Sequence, residues 1–186
     1  MTTSPRAPLS IIREEVIPAL DTVGRGYEAR TVYLPQLLMS AEAAKSAFER
    51  IKARMSAEAG DVEPKGRFVI ATVQGDIHDI GKNIVKVVLE NYGYTVVDLG
   101  RDVPAETVVE AAIREDARLV GLSALMTTTV VSMAETIAAI RKSGHDCKIM
   151  VGGAVLTPEY AAEIGADYYA KDAKQGADIA KEVFGA

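Results

Sequence analysis

The spacing of apolar residues changes along the chain, and each change marks a different kind of structure. Residues 1–8 are polar and carry two prolines, a loose lead-in. From Leu9 onward, Ile12, Val16, Leu20 and Val23 recur every three or four residues, as one face of an amphipathic helix does. Pro18 falls inside this run; it has no amide hydrogen and its ring crowds the preceding turn, so a kink or a restart is expected there. Gly24 and Gly26 are expected to loosen the end of that helix. A second helical run passes from Leu34 through Leu37, Leu38, Ala41, Phe48, Ile51 and Met55, with Pro35 suited to its first turn. The polar stretch from Ser56 to Gly66, containing Gly60 and Pro64, breaks the pattern and reads as an interdomain linker.

Beyond the linker, apolar runs of strand length alternate with helical patterns. The strands are expected at Arg67–Thr72, Thr95–Asp98, Leu119–Ser123, Lys148–Val151 and Asp167–Ala170. The helices are expected near Gly81–Tyr92, Ala105–Asp116, Thr129–Lys142, Pro158–Ile164 and Lys174–Phe184. Such alternation calls for right-handed crossovers and a parallel sheet covered on both faces. The fold class that fits is α/β, a flavodoxin-like (Rossmann-like) five-stranded parallel sheet preceded by a short helical cap, a partial helical bundle. Its switch point lies between the first and third strands. The boundaries are 1–58 for the cap segment, 59–66 for the linker and 67–186 for the α/β domain.

Composition narrows the class further. With 186 residues, net charge −5, 48% hydrophobic residues and mean hydropathy +0.09, the chain has room for one α/β domain and a small helical appendage. No apolar run reaches the roughly 18 residues of a membrane span, and no signal-like segment opens the chain, so a cytoplasmic location is the expectation. The single Cys147 cannot form an internal disulfide; beside Ile149-Met150-Val151 it is expected to be a buried structural thiol. Mild acidity with scattered Lys and Arg argues against nucleic acid as a partner.

The candidate chemistry lies in Asp76-Ile77-His78-Asp79-Ile80-Gly81, between the first strand and a helical run of Ile84, Val85, Val87, Val88 and Leu89. This is a strand's carboxyl end, where open α/β sheets bind ligands. A neutral imidazole can bind a metal through one ring nitrogen while a carboxylate, here Asp76 or Asp79, accepts the proton of the other and fixes the tautomer. Gly81 would let a bulky ligand approach the backbone. Two further loops reach the same edge. Ser123 to Thr129 brings hydroxyls that by themselves are more often helix caps than ligand contacts, and Gly152-Gly153 is equally a tight strand exit.

The run Gly75-Asp76-Ile77-His78-Asp79-Ile80-Gly81-Lys82-Asn83 resembles the Gly-Asp-x-His-Asp-x-Gly-Lys-Asn of cobalamin-binding domains of methyltransferases, including the module of methionine synthase. The resemblance implies cobalamin, in its methylcobalamin form, as the cofactor, with cobalt held in the corrin. His78 is then the lower axial cobalt ligand in place of the cofactor's own base, with Asp76 as its hydrogen-bonded support, and Asp79 and Gly81 belong to the same loop. The same resemblance makes Ser123, Leu125 and Thr127 contacts of the displaced nucleotide tail, with Gly152, Gly153 and Tyr169 beside it. Thr129 stands where better-known methionine synthases have a serine that completes a His-Asp-Ser relay. Tyr33-Leu34-Pro35-Gln36-Leu37-Leu38 resembles the family's helical cap, which makes Tyr27, Tyr33, Leu34 and Leu37 its cover for the methyl-bearing face.

The implied function is a corrinoid methyl carrier, as in methionine biosynthesis, that is inactive alone and works with methyl-donor and methyl-acceptor methyltransferase subunits. The family's cap has four helices and only two fit here, so a homodimer or a partner chain is expected to complete it. The alternatives are the cobalamin-binding subunit of an adenosylcobalamin mutase, a cobalamin-responsive regulatory module, and a cofactor-free signalling domain.

Overall fold

The computed structural model describes residues 8–58 and 66–185. The chain divides into two compact units, Met1–Asp61 and Val62–Ala186. In the first, α1 (Pro8–Ile11) runs through a π-helical turn (Ile12–Val16) into α2 (Ile17–Glu28). The irregularity sits just ahead of Pro18, whose ring and missing amide hydrogen forbid a regular turn there. Gly24 and Gly26 do not loosen this helix; it continues through both to Glu28. Gly26 instead receives the returning chain. Its carbonyl accepts from the amides of Thr31 and Val32, and an added Cβ would stand 2.6 Å from the Val32 side chain. After this turn α3 (Leu34–Glu58) packs back on α2, with Ile12 and Ala44 buried.

The second unit is a five-stranded all-parallel sheet, β1 (Arg67–Thr72), β2 (Thr95–Asp98), β3 (Leu119–Ser123), β4 (Lys148–Gly152) and β5 (Tyr168–Tyr169). The strand order β2-β1-β3-β4-β5 is the flavodoxin-like one, with its switch point between β1 and β3. β5 is shorter than its apolar run, but backbone bonds from Asp167 to Ile149 and from Ala170 to Val151 continue the pairing at both ends.

The alternation of β1 explains how the sheet is covered. Val69, Ala71 and Val73 join the main core, with Val108 and Ala112 of α5 (Ala105–Arg114), Met133, Ile137 and Ile140 of α6 (Val130–Ser143), and Ala161 of α7 (Pro158–Glu163). Phe68, Ile70 and Thr72 turn to the opposite face, covered by α4 (Ile80–Asn91) and α8 (Ala173–Phe184), where Gly176 lies in contact range of Met150 and Val85. Cys147 is buried, and burial pushes its thiol up, as an inert structural cysteine requires. No helix among the described residues is long and apolar enough to cross a membrane.

Candidate functional site

The strand-to-helix turn after β1 places an ionised carboxylate under an imidazole. Asp76 is fully buried, and its carboxylate accepts five hydrogen bonds. Oδ1 accepts from the His78 amide at 2.9 Å and from His78 Nδ1 at 2.8 Å. Oδ2 accepts from the amides of Leu125 at 2.7 Å and Met126 at 3.3 Å, and from the Thr129 hydroxyl at 2.8 Å. Burial pushes this carboxyl up, but the bonds from Leu125, His78 and Thr129 outweigh it and hold Asp76 well below the usual carboxylate range.

An ionised Asp76 has no hydrogen to give, so the proton of the shared bond sits on His78 Nδ1, and in the neutral ring the lone pair is then on Nε2. The ring is half exposed, its side chain 45% accessible, which leaves that nitrogen open to a ligand. Asp79, the other candidate carboxylate, sits at the N-cap position of α4 without a side-chain capping bond. Asp76 is therefore the partner of His78. Thr129 completes a chain of three groups, and its methyl lies 3.5 Å from where a Gly75 Cβ would stand, in ordinary contact.

Gly81 is the second residue of α4, where glycine costs helix stability relative to alanine. Nothing lies within 4 Å of a Cβ built there, so the protein's own packing does not require it. The space beside it suits an approaching group. Ile77 and Leu125, both neighbours of Asp76, are apolar and exposed at 59% and 42%.

A row of small or hydroxylic residues crosses the sheet at this edge. Thr72 pairs with Ser123 and Ser123 with Gly152, all on the α4 and α8 face. Thr72 Oγ1 is buried without a hydrogen-bond partner, a polar atom at the end of β1 that the protein leaves unsatisfied.

Gly153 has a different reason to be glycine. With φ 143° its Cβ would stand 1.7 Å from the Ala124 carbonyl oxygen, so the β3 and β4 loops touch backbone to backbone. Tyr169 is not brought to the row: it packs with the core on the opposite face, and its hydroxyl donates to the Leu156 carbonyl at 3.2 Å. Thr127 is exposed, and so is Tyr33 in the helical unit; the side chains of Tyr27, Leu34 and Leu37 lie outside the described residues.

Sequence reasoning missed several contributors. Lys82 is almost wholly buried, its Nζ 2.6 Å from Asp98 Oδ1, and Lys86 reaches Asp98 Oδ2 at 3.0 Å. Burial pushes the Asp98 carboxyl up, yet the bonds from Lys82, the Gly100 amide and Lys86 hold it low. Asp102 and Thr72 were also missed. Only the polar break between β2 and Pro104 hinted at Asp102, since a partner 27 residues upstream leaves no local signal.

The B12 binding domain family matches residues 66–178, and a second family of the same description matches residues 2–52. The dimethylamine corrinoid protein 1 of Methanosarcina acetivorans is 39% identical over 95% of this chain and 83% of its own length. The monomethylamine corrinoid protein of Methanosarcina barkeri has a solved structure with TM-score 0.85 at 32% identity, covering 96% of this chain and 84% of that one. The methanol:cobalamin methyltransferase complex of the same organism matches with TM-score 0.65 at 32% identity, covering 96% of this chain and 68% of that one. With both units matched and the histidine turn at the switch point, the chain belongs to the B12-binding corrinoid proteins found in methyltransferase systems.

Proposed function

We propose that this protein is a methyl carrier that binds cobalamin with its nucleotide base displaced and His78 in the base's place below the cobalt. The observation that carries the proposal is the His78-Asp76-Thr129 chain, which commits Nδ1 to a buried carboxylate and leaves Nε2 as the donor. Among the described residues no group of three or more His, Cys, Asp or Glu could hold a metal ion. A metal bound at His78 would bring ligands of its own, as a corrin does. The open space at Gly81, the exposed apolar Ile77 and Leu125, and the unsatisfied Thr72 hydroxyl fit a large, flat, partly apolar group with a tail.

When bound, the corrinoid supplies a cobalt centre able to take up and release a methyl group. The protein's part is to hold the ligand ring and keep its single proton on Nδ1. Asp76 raises the basicity of the imidazole by accepting a hydrogen bond from Nδ1–H, and the Thr129 hydroxyl donates a hydrogen bond to Asp76. Ser123, Leu125 and Thr127 are assigned to the nucleotide tail, with Gly152 and Gly153 beside it. The helical unit carries its own B12 binding match, and Tyr27, Tyr33, Leu34 and Leu37 are assigned to the methyl-bearing face.

The methyl donor we assign is a methylamine, delivered by a methyltransferase subunit, with a second subunit as acceptor. The relatives named above support a methylamine or methanol source and do not support the expected role in methionine biosynthesis. The test is to incubate the purified chain with methylcobalamin and compare visible spectra of the wild type and His78→Gly. The wild type should show an imidazole-ligated corrinoid and the variant a base-off spectrum; identical spectra would remove His78 as the ligand.

A further inference from the structure

The loop that follows β2 lies directly against the histidine turn, and one of its residues adopts a backbone conformation with no local reason. Asp102 has φ 55°, the left-handed region that side-chain-bearing residues seldom occupy, though Asp tolerates it better than most. Its neighbours are fixed. The Thr72 amide donates to Gly100, the Val103 amide donates to Thr72, and Val103 bridges to Val73 while almost fully buried. Held this way, Asp102 makes two contacts with the turn. Its Oδ1 accepts from the Gly75 amide at 2.7 Å, and its own amide donates to the Asp76 carbonyl at 3.0 Å.

We infer that Asp102 is a positioning residue for the cofactor ligand: it grips the backbone on both sides of the Gly75–Asp76 peptide and thereby fixes where the Asp76-supported His78 ring stands. The inference rests on the reading of His78 as the cobalt ligand. Gly75, itself at φ 84°, has no side chain with which to hold its place, so its amide depends on an acceptor supplied from outside the turn. Strain kept at a residue that touches a functional loop is where such pre-organisation is found. The same loop is anchored at its start, where Asp98 accepts from the Gly100 amide and from buried Lys82 just beyond Gly81. The turn is thus held from one loop at both of its ends.

Three substitutions separate the carboxylate from the backbone conformation. Asp102→Asn keeps an acceptor and tolerates the left-handed backbone, Asp102→Gly keeps only the backbone freedom, and Asp102→Ala keeps neither. Two readouts apply: amide exchange of Gly75 by NMR in the cofactor-free protein, and affinity for hydroxocobalamin with the imidazole-ligated fraction of bound methylcobalamin. Asp102→Asn should match the wild type. Asp102→Gly and Asp102→Ala should both expose the Gly75 amide to exchange and lower affinity by about tenfold, the lower end of what loss of a ligand-orienting partner costs. Wild-type behaviour from Asp102→Gly would overturn the inference, because the effect would then belong to backbone strain alone. So would a rapidly exchanging Gly75 amide in the wild type. If the wild type takes up no corrinoid, the proposed function falls, while the Gly75 comparison still decides the role of Asp102. Should Asp102→Ala fail to fold, Asp102→Gly against Asp102→Asn gives the same answer.

Discussion

Asp76→Asn is the substitution whose consequences the structure fixes most closely. An amide has one accepting oxygen, whereas the carboxylate presents two, each facing only donors. If the new NH2 takes the Oδ2 side, it confronts the amides of Leu125 and Met126. Thr129 escapes, because its hydroxyl already lies 2.9 Å from the Met126 carbonyl and its proton can turn there. If the NH2 takes the Oδ1 side, it confronts the His78 amide, and the ring must change tautomer to accept at Nδ1, which moves its hydrogen to Nε2. Each orientation orphans at least one partly buried amide at about 1–3 kcal/mol and strips the charge from the remaining bonds, so the loss should be about 2–4 kcal/mol.

For a domain of this size 1 kcal/mol corresponds to roughly 3–5 °C, and the melting temperature should fall by about 10 °C near neutral pH. The pH dependence supplies a second check. The folded Asp76 carboxyl lies below its ordinary value of 3.8, so its stabilisation is complete above that value and is lost as pH falls from there through the folded-state value. The gap between wild type and variant should therefore be constant from about pH 7 to pH 5 and narrow below about pH 4. Thermal melts across that range test both statements. A melting temperature within about 2 °C of wild type at neutral pH would refute the five-bond account of the carboxylate, since it would mean the donors find acceptors elsewhere.

Other expectations follow from single glycines. Gly81→Ala should stabilise the cofactor-free protein by up to about 1 kcal/mol, because a helix gains and nothing is met. It should weaken hydroxocobalamin binding by calorimetry, and unchanged affinity would take Gly81 out of the site. Gly153→Ala should cost at least about 3 kcal/mol in urea denaturation, since its methyl would overlap the Ala124 carbonyl at an unfavourable φ. A cost below about 1 kcal/mol would show that the two loops part freely.

The chain's own periodicities determined most of the architecture. β1 and β3 run over the residues their apolar runs marked, because a central strand buried on both faces has to be almost wholly apolar, and the edge strand β2 also runs over its marked residues. The turn carrying Asp76, His78 and Gly81 was equally legible, since its residues are adjacent and their roles local. Gly24 and Gly26 misled for the opposite reason: an intrinsic weakness of glycine in helices was overridden by the return of Thr31 and Val32 onto Gly26. The residues of the turn by themselves left Asp76 and Asp79 open as the imidazole's partner; the resemblance implied Asp76, and the tertiary structure shows it, with the amides of Leu125 and Met126 some fifty residues away holding its second oxygen. The tertiary structure alone assigned Gly153 to a backbone contact with Ala124, turned Tyr169 to the opposite face, and set Asp102 against Gly75. Contacts of that kind are made between loops that meet only once the sheet has formed, and no pattern within either loop encodes its partner.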